Sequence, residues 1–241
     1  MHLNPSNQEA LSFKEYLKKK ITNPSTNNGA GVTYYYDYFK NTYSPWSFGS
    51  LYFFHSGKGG TVNTRINYAS RFHVQGMQFE LNAYPKISSS LRGLIGVAYS
   101  GSEIFPTYSL ALGLYYKFLK KSELEGGVRY LHFKTLADPI YVFTAAYNKS
   151  FNRFFASVRT YLVPQPNGLN QSYYLTGRYY TKNKEKNISL TLNTGIAPHD
   201  YTDPVTNEKY NSPTHSKRIR IAFQTPFLSN KSIMRFSLGY E

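Results

Sequence analysis

Cysteine is absent from the 241-residue sequence. Its absence excludes a disulfide framework, a thiolate metal site and a cysteine nucleophile. It is compatible with an oxidising compartment of the cell envelope. The fold must therefore rest on burial and hydrogen bonding, and the chain is long enough to bury a sizeable core.

The chain also lacks a long hydrophobic run. No window approaches the roughly 20 consecutive apolar residues that a membrane-spanning helix needs. A helical membrane protein is therefore excluded. A transmembrane β-barrel is still allowed, because only every second residue of its strands has to be apolar.

Acidic residues are scarce. The sequence has 13 Asp and Glu against 28 Lys and Arg, which gives a formal net charge of +15. Such a charge attracts polyanions, among them nucleic acid, anionic lipid head groups and acidic polysaccharide. Nucleic-acid binding needs its basic residues on an exposed face. Because arginine here is mostly interleaved with apolar residues, the sequence predicts no nucleic-acid partner.

Aromatic residues, in contrast, are abundant, with 24 Tyr and 17 Phe. Flat amphipathic rings favour β-strands, and tyrosines crowd the strand ends as in the aromatic girdles of membrane barrels. From Gly31 onward, segments of about ten residues alternate with turn residues, and this length matches a tilted strand that crosses a hydrocarbon layer. The candidate strands are "GVTYYYDYFK", "WSFGSLYFFHS", "TVNTRINYASRF", "GMQFELNAY", "LRGLIGVAYS", "YSLALGLYYKF", "ELEGGVRYLHF", "IYVFTAAYNKS", "RFFASVRTYLV", "QSYYLTGRYYT", "KNISLTLNTGI", "KRIRIAFQT" and "SIMRFSLGY".

We therefore expect an all-β fold, a single antiparallel transmembrane-type β-barrel over residues 30–241. Thirteen candidates conflict with the even strand number of single-chain bacterial barrels, so about 12 strands are expected, with 14 as the alternative. Residues 1–29 are predicted to be an N-terminal segment and linker that is helical or disordered, with 6–20 as its helical stretch. Residues 197–216 are predicted to form the largest loop, on the extracellular side. The opening "MHLNPSNQEA" has no signal-peptide pattern, so either the protein is cytoplasmic or the sequence begins downstream of a removed signal peptide, and the barrel prediction favours the second.

The stretch "NTRINYASRFH" shows which way the polar residues point. From Asn63 to His73, polar and basic residues alternate with a second set that includes Ile66, Tyr68 and Phe72. A soluble β protein turns its charged face to water, whereas a membrane barrel turns its apolar face to lipid. An Arg or Lys at the bilayer midplane costs about 2–4 kcal/mol, so the arginines are predicted to face the lumen.

Four blocks resemble the YaiO family of outer-membrane β-barrel proteins in their order and spacing. The resemblance implies the outer membrane of a Gram-negative bacterium after removal of a signal peptide, with outer-membrane lipid around the barrel. It also implies a possible periplasmic module on the N-terminal side. The blocks are "WSFGSLYFFHSGKGGTVNTRINYASRF" from Trp46, "QGMQFELNAYPK" from Gln75, "FPTYSLALGLYYKF" from Phe105 and "LEGGVRYLHF" from Leu124.

The first functional hypothesis is a barrel that binds or handles acidic surface polysaccharide, uronic-acid or sulfated, without chemistry. Guanidinium groups bind carboxylate or sulfate bidentately. An alternative is that the arginines pair in ladders with Asp37, Glu80, Glu123 and Glu125, although arginines outnumber these carboxylates. The predicted ligand-binding residues are Arg65, Gln78, Asn82, Arg129, Arg159, Arg178, Tyr180 and Arg220.

The second hypothesis is a polysaccharide lyase that cleaves a uronate-containing glycan by β-elimination. Such an enzyme neutralises a carboxylate, abstracts the adjacent proton and protonates the leaving oxygen. The candidate catalytic residues are His73, Tyr161, Asn67 and Arg71, with Arg159 nearby, while a position for His73 in a turn or at the lumen rim is the competing interpretation. These residues leave both an enzyme and a non-enzymatic barrel possible from the sequence.

No metal site and no cofactor are predicted. The six histidines lack metal-ligand spacing. The stretch "SGKGGT" at residues 56–61 lacks the spacing of a phosphate-binding P-loop and is expected to be a turn between strands.

Overall fold

The fold is described from a computed structural model. It describes residues 27–38, 45–71, 74–165, 168–183, 185–196, 201–202, 209–210, 215–227 and 232–240. The predicted helical stretch at 6–20 and most of the predicted loop at 197–216 lie outside these residues. His73 also lies outside them.

All regular structure in the described residues is β-structure. None of these residues forms a helix long and apolar enough to cross a membrane. The strands are β1 (Asn27–Asp37), β2 (Trp46–Gly57), β3 (Gly60–Arg71), β4 (Val74–Pro85), β5 (Leu91–Tyr99), β6 (Tyr108–Leu119), β7 (Ser122–His132), β8 (Ile140–Phe151), β9 (Phe154–Gln165), β10 (Gly168–Tyr180), β11 (Asn187–Ile196), β12 (Tyr201–Thr202), β13 (Lys209–Tyr210), β14 (His215–Phe227) and β15 (Ser232–Tyr240).

Thirteen of these strands form one antiparallel sheet in which the strands follow each other in chain order, with β11 paired to β14. The order is β1-β2-β3-β4-β5-β6-β7-β8-β9-β10-β11-β14-β15, and the short β12 and β13 pair separately. Each of the thirteen predicted segments matches one strand of this sheet. The antiparallel all-β prediction is confirmed. The expected number of about twelve strands, which rests on the even-number rule, is one fewer than the thirteen strands of this sheet in the described residues.

The chain divides into two compact units. The first, called the N-unit, comprises Ser25–Leu114 and Gly127–Tyr141. The second, called the C-unit, contains Tyr115–Gly126 and Val142–Glu241. Each unit is described by itself below.

In the N-unit, residues along most strands alternate between more buried and more exposed positions, and most of the exposed ones are apolar. In β4, Gln78 is 0% exposed while Phe79 beside it is 54% exposed. In β6, Ser109 and Ala111 are buried, whereas Leu112 is 57% exposed. Because successive side chains of a strand point to opposite faces, one face of the sheet is polar and buried and the other is apolar and exposed.

The C-unit has the same reversed polarity. In β11, Ser189 is 4% exposed and Leu190 is 41% exposed. Arg159 in β9 and Arg178 in β10 are 3% and 2% exposed. We call the buried side of the sheet in each unit the inner face. An exposed apolar face with a buried polar face is the opposite of a soluble β-sandwich, whose strands bury the apolar side.

A loop of the N-unit packs on the inner face. Between β5 and β6, Phe105 is buried against Phe48 and Ala69. A Cβ on Gly76 in β4 would collide with the side chains of Ser102 and Ile104 in this loop. Glycine at this position therefore lets the loop lie against the strand.

Candidate functional site

The inner face carries far more positive than negative charge. Nine arginines occupy inward positions in the described strands, and so does Lys117. Only four carboxylates do so, those of Asp37, Glu80, Glu123 and Glu125. The inner face therefore has a surplus of cations however its ion pairs are arranged. The nine are Arg65, Arg71, Arg92, Arg129, Arg159, Arg178, Arg218, Arg220 and Arg235.

A hydrogen-bond network crosses three strands of the N-unit. Ser50 Oγ donates to Asn67 Oδ1 at 2.8 Å, and Asn67 Nδ2 donates to Gln78 Oε1 at 3.2 Å. Asn67 Nδ2 also lies 3.3 Å from Glu80 Oε2, and Asn82 Nδ2 donates to Glu80 Oε1 at 2.5 Å. The network satisfies buried polar groups that would otherwise destabilise the fold.

Arg65 stands at the edge of this network. It is the cross-strand partner of Glu80 on one side and of Tyr52 on the other. Its guanidinium carbon lies 5.6 Å from the centre of the Tyr52 ring. A carboxylate and an aromatic face therefore flank this buried cation, and both stabilise its charge.

Arg71 has a similar aromatic neighbour. Its guanidinium carbon lies 5.0 Å from the Trp46 ring centre, and both side chains are buried. This pair lies where β2 begins and β3 ends, two residues before His73 in the chain. Since His73 is outside the described residues, its predicted role as a base stays a prediction.

In the C-unit, Arg159 makes a bidentate ion pair. Its Nη1 and Nη2 donate to Glu125 Oε1 and Oε2, each at 2.5 Å. Its guanidinium carbon is also 5.9 Å from the Tyr161 ring centre. Tyr161 in turn packs edge-on against Tyr174. Arg159 is therefore held by Glu125 and Tyr161, and Tyr161 is held by Tyr174.

The strands β10, β11, β14 and β15 carry a different arrangement. Arg178 Nη1 lies 3.5 Å from the Tyr180 hydroxyl, and its guanidinium carbon is 5.9 Å from that ring centre. On β15, Arg235 Nη2 donates to Ser189 Oγ at 3.4 Å. The sequences of these four strands contain no Asp or Glu. The only charged side chains on the wall that the four strands form are therefore basic.

The predicted site residues fall into both units. Asn67 and Arg71 belong to the N-unit, whereas Tyr161 and Arg159 belong to the C-unit. The assembly of these residues with His73 into one catalytic site stays a prediction. Of the predicted ligand-binding residues, the N-unit holds Arg65, Gln78, Asn82 and Arg129, and the C-unit holds Arg159, Arg178, Tyr180 and Arg220, all at inward positions.

Sequence reasoning missed several inward polar residues. Arg92 is 8% exposed, and Lys117 alternates inward with Tyr115. The alternation of strand residues could have identified both as inward. Arg92 lies on the same face of its strand as Gly96 and Ala98, and the other face of that strand is apolar. Asn187 and Ser189 on β11 are also inward polar residues that are not among the predicted site residues.

A metal site has no support within the described ranges. They contain no group of three or more His, Asp or Glu side chains that could hold a metal ion. The polar groups of the inner face are chiefly guanidinium, amide and hydroxyl, which bind anions and sugar hydroxyls by hydrogen bonds.

The reversed polarity and the meander of long antiparallel strands define the class of this protein, a membrane β-barrel with a polar interior. The model of the YaiO membrane β-barrel domain matches residues 27–200. The chain therefore belongs to the YaiO family, and its location is the outer membrane. None of the curated proteins compared with the chain matches it.

Proposed function

We propose that this barrel, in the outer membrane of a Gram-negative bacterium, binds acidic polysaccharide through its inner face. The ligand is a uronic-acid or sulfated glycan that carries repeated negative charges. The observation that supports this most directly is the cation surplus, nine arginines and one lysine against four carboxylates at inward positions. An excess of guanidinium groups over carboxylates favours an anionic ligand, because guanidinium binds carboxylate and sulfate groups bidentately.

The arginine–aromatic pairs support a glycan over a simple salt. Arg65 lies over Tyr52, Arg159 over Tyr161 and Arg178 over Tyr180. In each pair a bidentate anion binder stands beside a phenol that can contact a sugar ring and hydrogen-bond its hydroxyls. One such pair thus offers groups for both the acid and the ring of a uronate or sulfated sugar.

Retention on immobilised glycans tests the proposal. The purified chain in detergent should bind a heparin or alginate column, elute with rising salt and pass through a neutral dextran column. Arg65→Ala and Arg178→Ala should each elute at lower salt than the parent. Arg153→Ala removes the same charge from an exposed turn and serves as the matched control. Equal elution of all four proteins, or equal retention on dextran, would contradict the proposal.

One observation supports the alternative hypothesis of a polysaccharide lyase. Arg159 beside Tyr161 is a pairing of carboxylate-neutralising and proton-transferring groups. A substrate carboxylate would, however, have to compete with Glu125 for the same guanidinium. In the N-unit, Asn67 is also already hydrogen-bonded on both its amide atoms.

Ultraviolet absorbance of the unsaturated uronate product tests this second hypothesis. The chain is incubated with alginate, chondroitin, dermatan, hyaluronan and heparin, and a lyase produces a steady rise that His73→Ala and Tyr161→Phe abolish. A flat trace with all five glycans removes the hypothesis for those substrates. Full activity in both variants would remove these residues from the mechanism.

A further inference from the structure

Two arginines of the C-unit converge over β11. Arg178 is the cross-strand partner of Ser189, and its contact with Tyr180 shows that its side chain runs towards the next inward row. That row consists of Tyr180, Asn187, Gln224 and Arg235, each the cross-strand partner of the one before. Arg235 starts from this row and reaches back to Ser189. The Arg235 guanidinium therefore reaches Ser189 on β11, while Arg178, the cross-strand partner of Ser189, extends along the neighbouring strand towards Tyr180, the partner of Asn187.

The same place contains buried donors without an acceptor. Asn187 is 1% exposed, and its Nδ2 has no hydrogen-bond partner among the described residues. The Nε and Nη1 atoms of Arg235 are also buried without a partner there. Leaving a buried donor unsatisfied costs about 1–3 kcal/mol, and more for a charged group. Several such donors directed to one place favour an acceptor-rich ligand.

A buried acid, Glu185, stands two residues before Asn187 in the chain. Glu185 lies in the turn between β10 and β11, and its backbone carbonyl accepts from Gln224 Nε2 at 3.1 Å. Its carboxylate oxygen Oε2 has no hydrogen-bond partner in the part of the chain that the structure describes. This differs from Arg159, whose charge Glu125 matches within the fold. The cation surplus is thus concentrated on the wall of β10, β11, β14 and β15.

We propose that Arg178, Arg235, Asn187 and Ser189 form a site for one tetrahedral or planar oxyanion. On the proposed function, on which this inference rests for its natural ligand, the group is a sulfate ester or carboxylate of the glycan. Inorganic sulfate offers the same oxygens without the sugar. Guanidinium forks supply paired N–H donors, the amide and hydroxyl supply single ones, and no carboxylate of these strands repels the anion.

Isothermal titration calorimetry on the full chain in detergent tests the site. The titrants are a sulfated heparin tetrasaccharide, an alginate tetrasaccharide and sodium sulfate. The double variant Arg178→Gln/Arg235→Gln should raise the Kd of the bound titrants by about tenfold or more, because it removes two charge-assisted donors. Arg153→Gln/Lys149→Gln removes two cations outside the site and should leave the Kd unchanged. Arg235→Lys keeps the charge but loses the fork, so it reports on the site if the double variant fails to fold.

The outcomes separate this inference from the proposed function. Glycan binding that the double variant weakens and the control does not supports both. Glycan binding of equal strength in the parent and in both Arg235 variants overturns the site and leaves the glycan function standing. Sulfate binding that these variants weaken, with no glycan binding, supports the site and overturns the glycan function. No heat from any titrant contradicts both.

Discussion

Arg159 and Glu125 pair across an intervening strand. Arg159 is on β9 and Glu125 on β7, with β8 between them in the sheet, and their four donor and acceptor atoms meet at 2.5 Å. The cross-strand partner of Arg159 on β8 is Ala146. A methyl group there leaves room for the two long side chains to meet above it. The ion pair therefore joins non-adjacent strands within the C-unit.

Breaking this pair should destabilise the barrel. Glu125→Gln leaves the Arg159 guanidinium buried without its carboxylate, and loss of one partner of a buried pair costs about 3–5 kcal/mol. The measurement is the urea midpoint of unfolding in lipid vesicles, followed by tyrosine fluorescence. Glu103→Gln, in an exposed loop position, is the control and should change little. A Glu125→Gln midpoint equal to that of the parent would mean that the pair is absent in solution.

The amide network of the N-unit should also contribute to stability. Asn67→Ala removes the acceptor of Ser50 and a donor to Gln78 and Glu80. We expect a loss of about 1–3 kcal/mol, because the remaining buried groups lose partners. The same unfolding assay measures it, with the exposed Gln75→Ala on β4 as control. Equal losses in the two variants would refute a specific role of the network.

Gly76 should control the loop that packs on the inner face. Gly76→Val places atoms where Ser102 and Ile104 lie, so the loop must move away from the strand. We expect a new protease cleavage site within residues 101–107, read by mass spectrometry after limited digestion. Gly49→Val is the control, because a Cβ there meets nothing within 4 Å. An uncut loop in Gly76→Val would show that the strand tolerates the side chain.

The apolar face should reject charge in a depth-dependent way. Leu112 lies near the middle of β6 and Phe118 close to its end, and both are exposed on the apolar face. Arginine at Leu112 is expected to cost about 2–4 kcal/mol, and at Phe118 about 0–1 kcal/mol. Folding equilibria in vesicles measure both. If the two variants are equally stable, β6 does not cross the hydrocarbon layer.

The strands and their faces could be predicted from the sequence because the side-chain period of a strand is two. In β4, the order Gln78, Phe79, Glu80, Leu81 by itself assigns the inner and outer residues, and the burial agrees. The number of strands is harder to predict from the sequence. The sequence shows thirteen segments, one for each strand of the sheet, whereas the even strand number of single-chain barrels predicts twelve or fourteen.

Contacts across strands could not be predicted in the same way. The pairing of Arg159 with Glu125 depends on the register of three strands and on the small size of Ala146, neither of which a single strand reveals. Phe105 stands in a segment rich in turn residues, and nothing in its neighbours indicates burial. The convergence of Arg178 and Arg235 joins positions 57 residues apart through two further strands.

The central claim is that apolar side chains face lipid while polar ones face the interior, and the absence of native cysteine allows a direct test. Leu190→Cys and Ser189→Cys place single thiols on neighbouring residues of opposite faces, each labelled with a small fluorophore in vesicles that contain brominated lipid. The account predicts strong quenching at position 190 and little at position 189. Equal quenching at both, or stronger quenching at 189, would contradict it.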